Sequence, residues 1–292
     1  MRTLIYFGVV VLGMIGSLAW AGGIDVTTLG AKGDGKTNDT AAFVEAFKKG
    51  KDVYVPPGEY LVGIMQLPDD VYFHGAGAAS RIVLAQGQEP ISLGNRNRVS
   101  NLLFTGQEKF EQNGNQAMSM LNVERKDGVT IDHVRIEDFR YTAIRAVHAT
   151  DLQVTDCHIE KVNWGILIEY CHRVYVEGNR VIGAAQYAIQ FWGNLNKFAG
   201  AEGDDLIFVN NYCKDGGGSR IWGTSAHRVV MANNIVDGSN DVGLDLEWCW
   251  DSAITGNTVR NVENGGISLF FSSERISIVG NTVINDRKIS ER

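Results

Sequence analysis

The sequence is poor in cysteine and proline, with four of each in 292 residues. It contains no CxxC pair and no His/Cys cluster, so it spells no zinc site. Few prolines beside 34 glycines suit a chain of many tight turns and exclude a proline-rich disordered one. A basic excess is also missing, with 27 Lys and Arg against 34 Asp and Glu. That balance argues against nucleic acid or anionic lipid as the main partner, since both demand a basic surface. Long apolar runs are absent after residue 20. The start has Met1-Arg2, an apolar stretch over 4–18 and Ala19-Trp20-Ala21. It reads as a signal peptide over 1–21, cleaved before Gly22. The stretch is short for a spanning helix of ~20 residues. The mature chain, 22–292, is therefore expected to be secreted or periplasmic, with no stable membrane insertion after cleavage. Its oligomeric state is not legible.

Repetition fills the rest of the chain. Asn179, Asn211, Asn234, Asn257 and Asn281 are spaced 32, 23, 23 and 24 residues apart. Each follows an apolar residue by three positions (Val176, Phe208, Met231, Ile254, Ile278) and precedes a small or apolar one by two. Short β-type runs broken by a turn residue at this period are the mark of a solenoid. Asparagine tolerates the left-handed turn conformation, so a stack of Asn turns is expected. A second column, Leu121, Ile144, Ile166, Ile189, Ile221, Leu244 and Ile267, keeps the same rhythm. Its one 32-residue step coincides with that of the Asn column, so both absorb one insertion within 193–204. Side chains alternate across a strand, which sends this column inward and its chain neighbours outward. Each rung buries its apolar face only against adjacent rungs.

Such stacking bears on the cysteines. Export permits disulfides, yet Cys171 and Cys249 fall in equivalent positions three rungs apart. At ~4.8 Å per rung they are ~14 Å apart, beyond disulfide reach. Cys157 and Cys213, two rungs apart, are also too distant. Four buried free thiols are expected.

Residues 24–85 stand outside the simple repeat. They include Gly30-Ala31-Lys32-Gly33-Asp34-Gly35-Lys36-Thr37-Asn38-Asp39-Thr40, then a segment with helical apolar spacing through Phe43 and Phe47. Thr37 or Asn38 is the expected N-cap, and a capping segment over 24–50 would cover the first rung. Val53-Tyr54-Val55-Pro56-Pro57-Gly58-Glu59-Tyr60 and Gly75-Ala76-Gly77 follow. Gly33-Asp34-Gly35 is expected to be a structural turn and not a phosphate loop. This series resembles the opening of the pectate-lyase-like superfamily, with a rhamnogalacturonase/epimerase-like N-terminal motif. The resemblance implies an all-β, right-handed parallel β-helix forming one solenoid domain over 22–292. It implies the fold and leaves the reaction open.

In similar β-helices a polysaccharide lies across one sheet, between loops at its edge. Here the outward residues of the second column form two files. One is Asn122, Arg145, Leu167, Gln190, Trp222, Asp245 and Ser268; the other is Glu124, Val147, Glu169, Trp192, Thr224, Glu247 and Phe270. Rings offer flat faces to sugars, while carboxylates and Arg bond hydroxyls and uronates. Trp192, Trp222, Arg145, Glu169, Gln190, Arg220 and Phe270 are thus the expected substrate-binding residues. The insertion around 194–202 follows Trp192 and would wall this face. Asp245 and Glu247, at i and i+2 on one strand, share a face ~6.6–7 Å apart along the backbone. They are the expected catalytic pair of a glycoside hydrolase, one acid and one base. No cofactor is required for that chemistry.

Two alternatives stay open. A uronate lyase would hold Ca²⁺ through Asp241, Asp245 and Glu247, with Arg220 or Arg145 as base or carboxylate clamp. A non-catalytic carbohydrate-binding or adhesion solenoid would use the same face. Neither the Gly-His-Gly and Arg-Ile-Lys motifs of polygalacturonases nor the Tyr-Gly-x-Asp-Pro-His motif of alginate epimerases occurs. His148, His172 and His227 are placed in loops beside the face, as polar loop residues. The last rung, ending near Asn285, has no evident cap, so the end reads as truncated or covered by another subunit.

Overall fold

A computed structural model describes residues 23–87, 90–112, 118–193 and 203–285. The expected signal peptide, the insertion 194–202 and the segment 286–292 lie outside the described residues. Among the described residues, 28 strands join one sheet system. Away from the two ends of the stack, strands pair in parallel with strands one coil before and one coil after. His172–Glu177, for example, lies between Thr150–Thr155 and Asp204–Val209. This is a parallel β-helix.

A helix, Thr40–Lys49, covers the first coil. Its buried Phe43 and Phe47 meet Phe73 edge-on, with ring centroids at 6.0 and 5.4 Å. The cap differs from the sequence expectation. Thr37 and Asn38 end a strand, Asp34–Asn38, and Asp39 is the N-cap residue. Asp39 spends its carboxylate on the Lys32 and Gly33 amides. Asn38 Oδ1 instead accepts from the Thr40 amide at 3.0 Å. Asp34 accepts from the Lys36 and Thr37 amides, which lowers its pKa to about 2. Gly33-Asp34-Gly35 is therefore tied up as a turn.

The apolar column pairs as spaced: Leu121, Ile144, Ile166, Ile189, Ile221, Leu244 and Ile267 are successive register partners. All but Ile267 are fully buried. Phe191 stacks on Phe208 at 5.4 Å. A Cβ on Gly223 would come within 2.2 Å of the Phe191 ring, so that position admits only glycine.

The asparagines do not make the turns themselves. The preceding residues do: Gly178, Asn210, Asn233, Gly256 and Gly280 have φ between 54° and 68°. Each turn swings the next residue inward. Asn179, Asn211, Asn234 and Asn257 are consequently buried, and each Nδ2 donates to the next Asn Oδ1 at 2.9–3.0 Å. The same Nδ2 groups also donate to the carbonyls of Val154, Val176, Phe208 and Met231. Cys157 takes the Asn place one coil earlier, and its amide donates to Asn179 Oδ1 at 3.0 Å.

All four cysteines are buried and free. Burial pushes each thiol up to about 12. Another corner carries a pattern the sequence reading overlooked. Asp151, Arg173, Asp205, Arg228, Asp251 and Arg275 all have φ of 52–55°. Each Arg grips the preceding Asp with two hydrogen bonds. These pairs are exposed, so their contribution is modest and salt-sensitive. At the last described coil Ile278, Val279, Val283 and Ile284 are exposed.

Candidate functional site

Strands Ile189–Trp192, Ile221–Ala232, Val242–Trp250 and Gly265–Phe270 lie side by side. Their register aligns Gln190, Trp222, Asp245 and Ser268 in one file. Trp192, Thr224, Glu247 and Phe270 form the next. Alternation along each strand turns both files away from the core.

Three aromatic rings gather on this face. Trp192 meets Trp222 edge-on at 5.9 Å and 89°. Tyr187 stacks on the same indole at 5.1 Å and 24°. Tyr187 was not among the expected site residues. Its position two before Ile189, matching Trp164 two before Ile166, is the signal that would have found it.

The carboxylates differ in setting. Asp245 is only 3% exposed, and its Oδ1 has no hydrogen-bond partner among the described residues. Burial raises its pKa to about 7, and the charges of Glu247 and Asp241 add to the effect. A carboxyl in that range carries its proton through much of the neutral region. Glu247 is half-buried and accepts the Trp222 indole N–H at 3.1 Å. An indole only donates, so Trp222 orients a carboxylate oxygen. Gln190, beside Trp222 in the file, is also buried, with Oε1 unpartnered among the described residues. The pair thus joins a buried proton carrier to an oriented carboxylate, beside unsatisfied acceptors and flat rings.

Other expected residues fall differently. Arg145 and Glu169 lie on the same face, nearer the N-terminal end, and pair with each other at 2.7 Å. Phe270 stands on the face, 43% exposed. Arg220 does not belong to it. Its column mates are Ala143, Gly165, Ala188 and Gly243, small residues at a corner that turns inward. The guanidinium is fully buried and donates to the carbonyls of Ala184, Asp215, Gln186 and Gly218. Burial lowers its pKa to about 10. A Cβ on Gly216 would collide with this guanidinium, whereas Gly217 and Gly218 pack against the carbonyls of Ala185 and Gln186. Arg220 is a structural plug and not a substrate clamp.

The residues do not fit a calcium site well. Asp241 uses one oxygen on Ser219 Oγ at 3.1 Å and the other on Asn264 Nδ2 at 2.8 Å. Glu247 Oε1 takes the Trp222 indole. Among the described residues no three His, Cys, Asp or Glu side chains gather as a metal-ligand set.

The histidines also need correction. His172 opens strand His172–Glu177 and pairs with Asp204. His227 lies within Ile221–Ala232 and stacks on Trp250. Only His148 occupies a turn, with φ of 49° and its ring stacked on Tyr170. Tyr170 and Trp248 share that left-handed corner, so their following cysteines point inward as expected.

A parallel β-helix with rings and carboxylates on one outer sheet defines the class of pectate-lyase-like solenoids. The chain belongs to the rhamnogalacturonase A/epimerase, pectate lyase-like family, whose profile matches residues 23–268. It is 28% identical over 152 residues to the pre-neck appendage protein of Bacillus phage phi29, a stretch covering 48% of this chain and 16% of that protein. The chain therefore matches less than a fifth of that relative's length. Its fold is similar to the Dettilon tailspike protein (TM-score 0.62, 15% identity, 90% of this chain and 62% of that one). It is similar too to the catalytic unit of an α-1,3-glucanase from Streptomyces thermodiastaticus (TM-score 0.61, 14% identity, 93% and 71%).

Proposed function

We propose that this chain binds a polysaccharide along the Trp192–Trp222 face and hydrolyses its glycosidic bonds. Asp245 gives its proton to the leaving glycosidic oxygen. Glu247, held by Trp222, takes a proton from the attacking water or shields the positive charge that grows on the sugar ring. One observation carries the reading: a buried carboxyl with an unpartnered oxygen, raised to about 7, on an aromatic outer face. Groups held apart in pKa are how paired carboxylates divide acid and base roles. Family membership supports a glycan as the partner. An extracytoplasmic location belongs to the same reading. No helix among the described residues is long and apolar enough to cross a membrane.

The kinship with a phage appendage protein favours a second reading, a solenoid that binds glycans without cleaving them. A panel of plant, algal and bacterial polysaccharides separates the two. Hydrolysis is expected to release reducing ends with no near-ultraviolet absorbance from unsaturated sugars. Retention of a polymer with no product supports the adhesion reading. Unsaturated products lost on adding EDTA would establish the calcium lyase instead.

A further inference from the structure

We infer that the face around Asp245 selects uncharged sugars and rejects polyuronates and other anionic glycans. This rests on the reading that the face takes a glycan. Its charge is one-sided. Asp241, Asp245 and Glu247 lie close enough for the first and last to raise the pKa of the middle one. The two files contain one cation, Arg145, which Glu169 neutralises at 2.7 Å. Arg220, the nearest alternative, lies buried behind the face with backbone carbonyls as partners. No other Lys or Arg stands in these files.

Hydrogen-bond chemistry points the same way. Among the described residues Gln190 Oε1 is a buried acceptor without a donor, and Asp245 Oδ1 is buried without a partner. Sugar hydroxyls supply donors, whereas a uronate carboxylate supplies none. A uronate carboxylate placed here would set acceptor against Gln190 Oε1 and its charge against those of Asp241 and Glu247, where partly buried groups are screened least. A neutral pyranose meets rings, acceptors and the Asp245 proton, with no charge set against it.

Matched polymers test this: galacturonan against its methyl ester, carboxymethyl-glucan against glucan, and polymannuronate against mannan. Affinity electrophoresis would use the full chain carrying Asp245→Asn, so that nothing is turned over. At about 20 mM salt the neutral member of any bound pair is expected to bind at least about tenfold tighter. Adding Asp241→Asn and Glu247→Gln should narrow the gap to about threefold. Raising salt to about 500 mM on the unaltered face should narrow it too, which serves if the triple variant fails to fold. Equal or tighter binding of an acidic member, a gap insensitive to both changes, or no binding by any polymer would overturn the inference. Wild-type protein that prefers neutral polymers but releases no reducing ends would end the hydrolase reading alone. Hydrolysis of a polyuronate would do the reverse.

Discussion

Asp245→Asn is expected to cut polysaccharide cleavage by about 10²–10⁴-fold, the range of a general acid, with binding within about threefold of wild type. Asn matches the shape of Asp, but it has no acidic proton to give. Rate should also fall as pH rises through about 7, where Asp245 loses its proton. Stability shows the same group from the other side. An unfolded Asp titrates near ~3.9, so below that value both states hold the proton. Between there and about 7 the folded state keeps a proton that the unfolded state has lost, and stability falls with rising pH. Above about 7 the full penalty of a buried charge is present. The Asn variant escapes it, so its melting temperature should exceed wild type at pH ~8 and match it near pH ~4. A variant that cleaves at the wild-type rate would remove Asp245 from the chemistry.

Asn234→Leu is expected to destabilise the chain by about 2–4 kcal/mol, since each orphaned buried group costs ~1–3 kcal/mol. The change leaves the Asn211 amide and Nδ2 without their acceptor. It also removes the Asn234 Nδ2 donor from Phe208 O and Asn257 Oδ1, the latter keeping the residue-234 amide. Leu shares the γ-branch of Asn but is larger, so overpacking of the buried stack adds to the loss of hydrogen bonds. The urea midpoint should drop with an unchanged slope. Because rungs support one another, proteolysis should spread to both neighbouring coils. Asn233→Gly is the control, since glycine accepts the φ of 54° at that turn. A ladder variant within ~1 kcal/mol of wild type would make the Asn stack ornamental.

The solenoid was legible because its two columns report one constraint twice. A 23-residue coil must return each Ile or Leu to the core, and the single 32-residue step moved both columns together. Pairing of Ile221 with Leu244 and of Trp222 with Asp245 follows from that register. The site file was legible for the same reason. What failed were features decided by a local corner. Asn234 looked like a turn residue, but Asn233 turns and Asn234 bonds inward. Arg220 had the right parity for the face, yet its corner folds inward and Gly216 makes room for it. Tyr187 escaped notice because it lies ahead of the alternating run, where only its match to the aromatic Trp164 one coil earlier marks it. The Asp/Arg corner was hidden by its alternation from coil to coil, since no single residue type repeats.

The central claim is that Asp245 is a neutral acid at working pH. A ¹³C titration of the Asp245 carboxyl, assigned through its loss in Asp245→Asn, reads this without any substrate. The account predicts a midpoint near about 7, moving down toward the ordinary range in Glu247→Gln as the neighbouring charge is removed. A midpoint near ~4, the value of an ordinary aspartate, would contradict it and leave the face with no evident proton donor among the described residues.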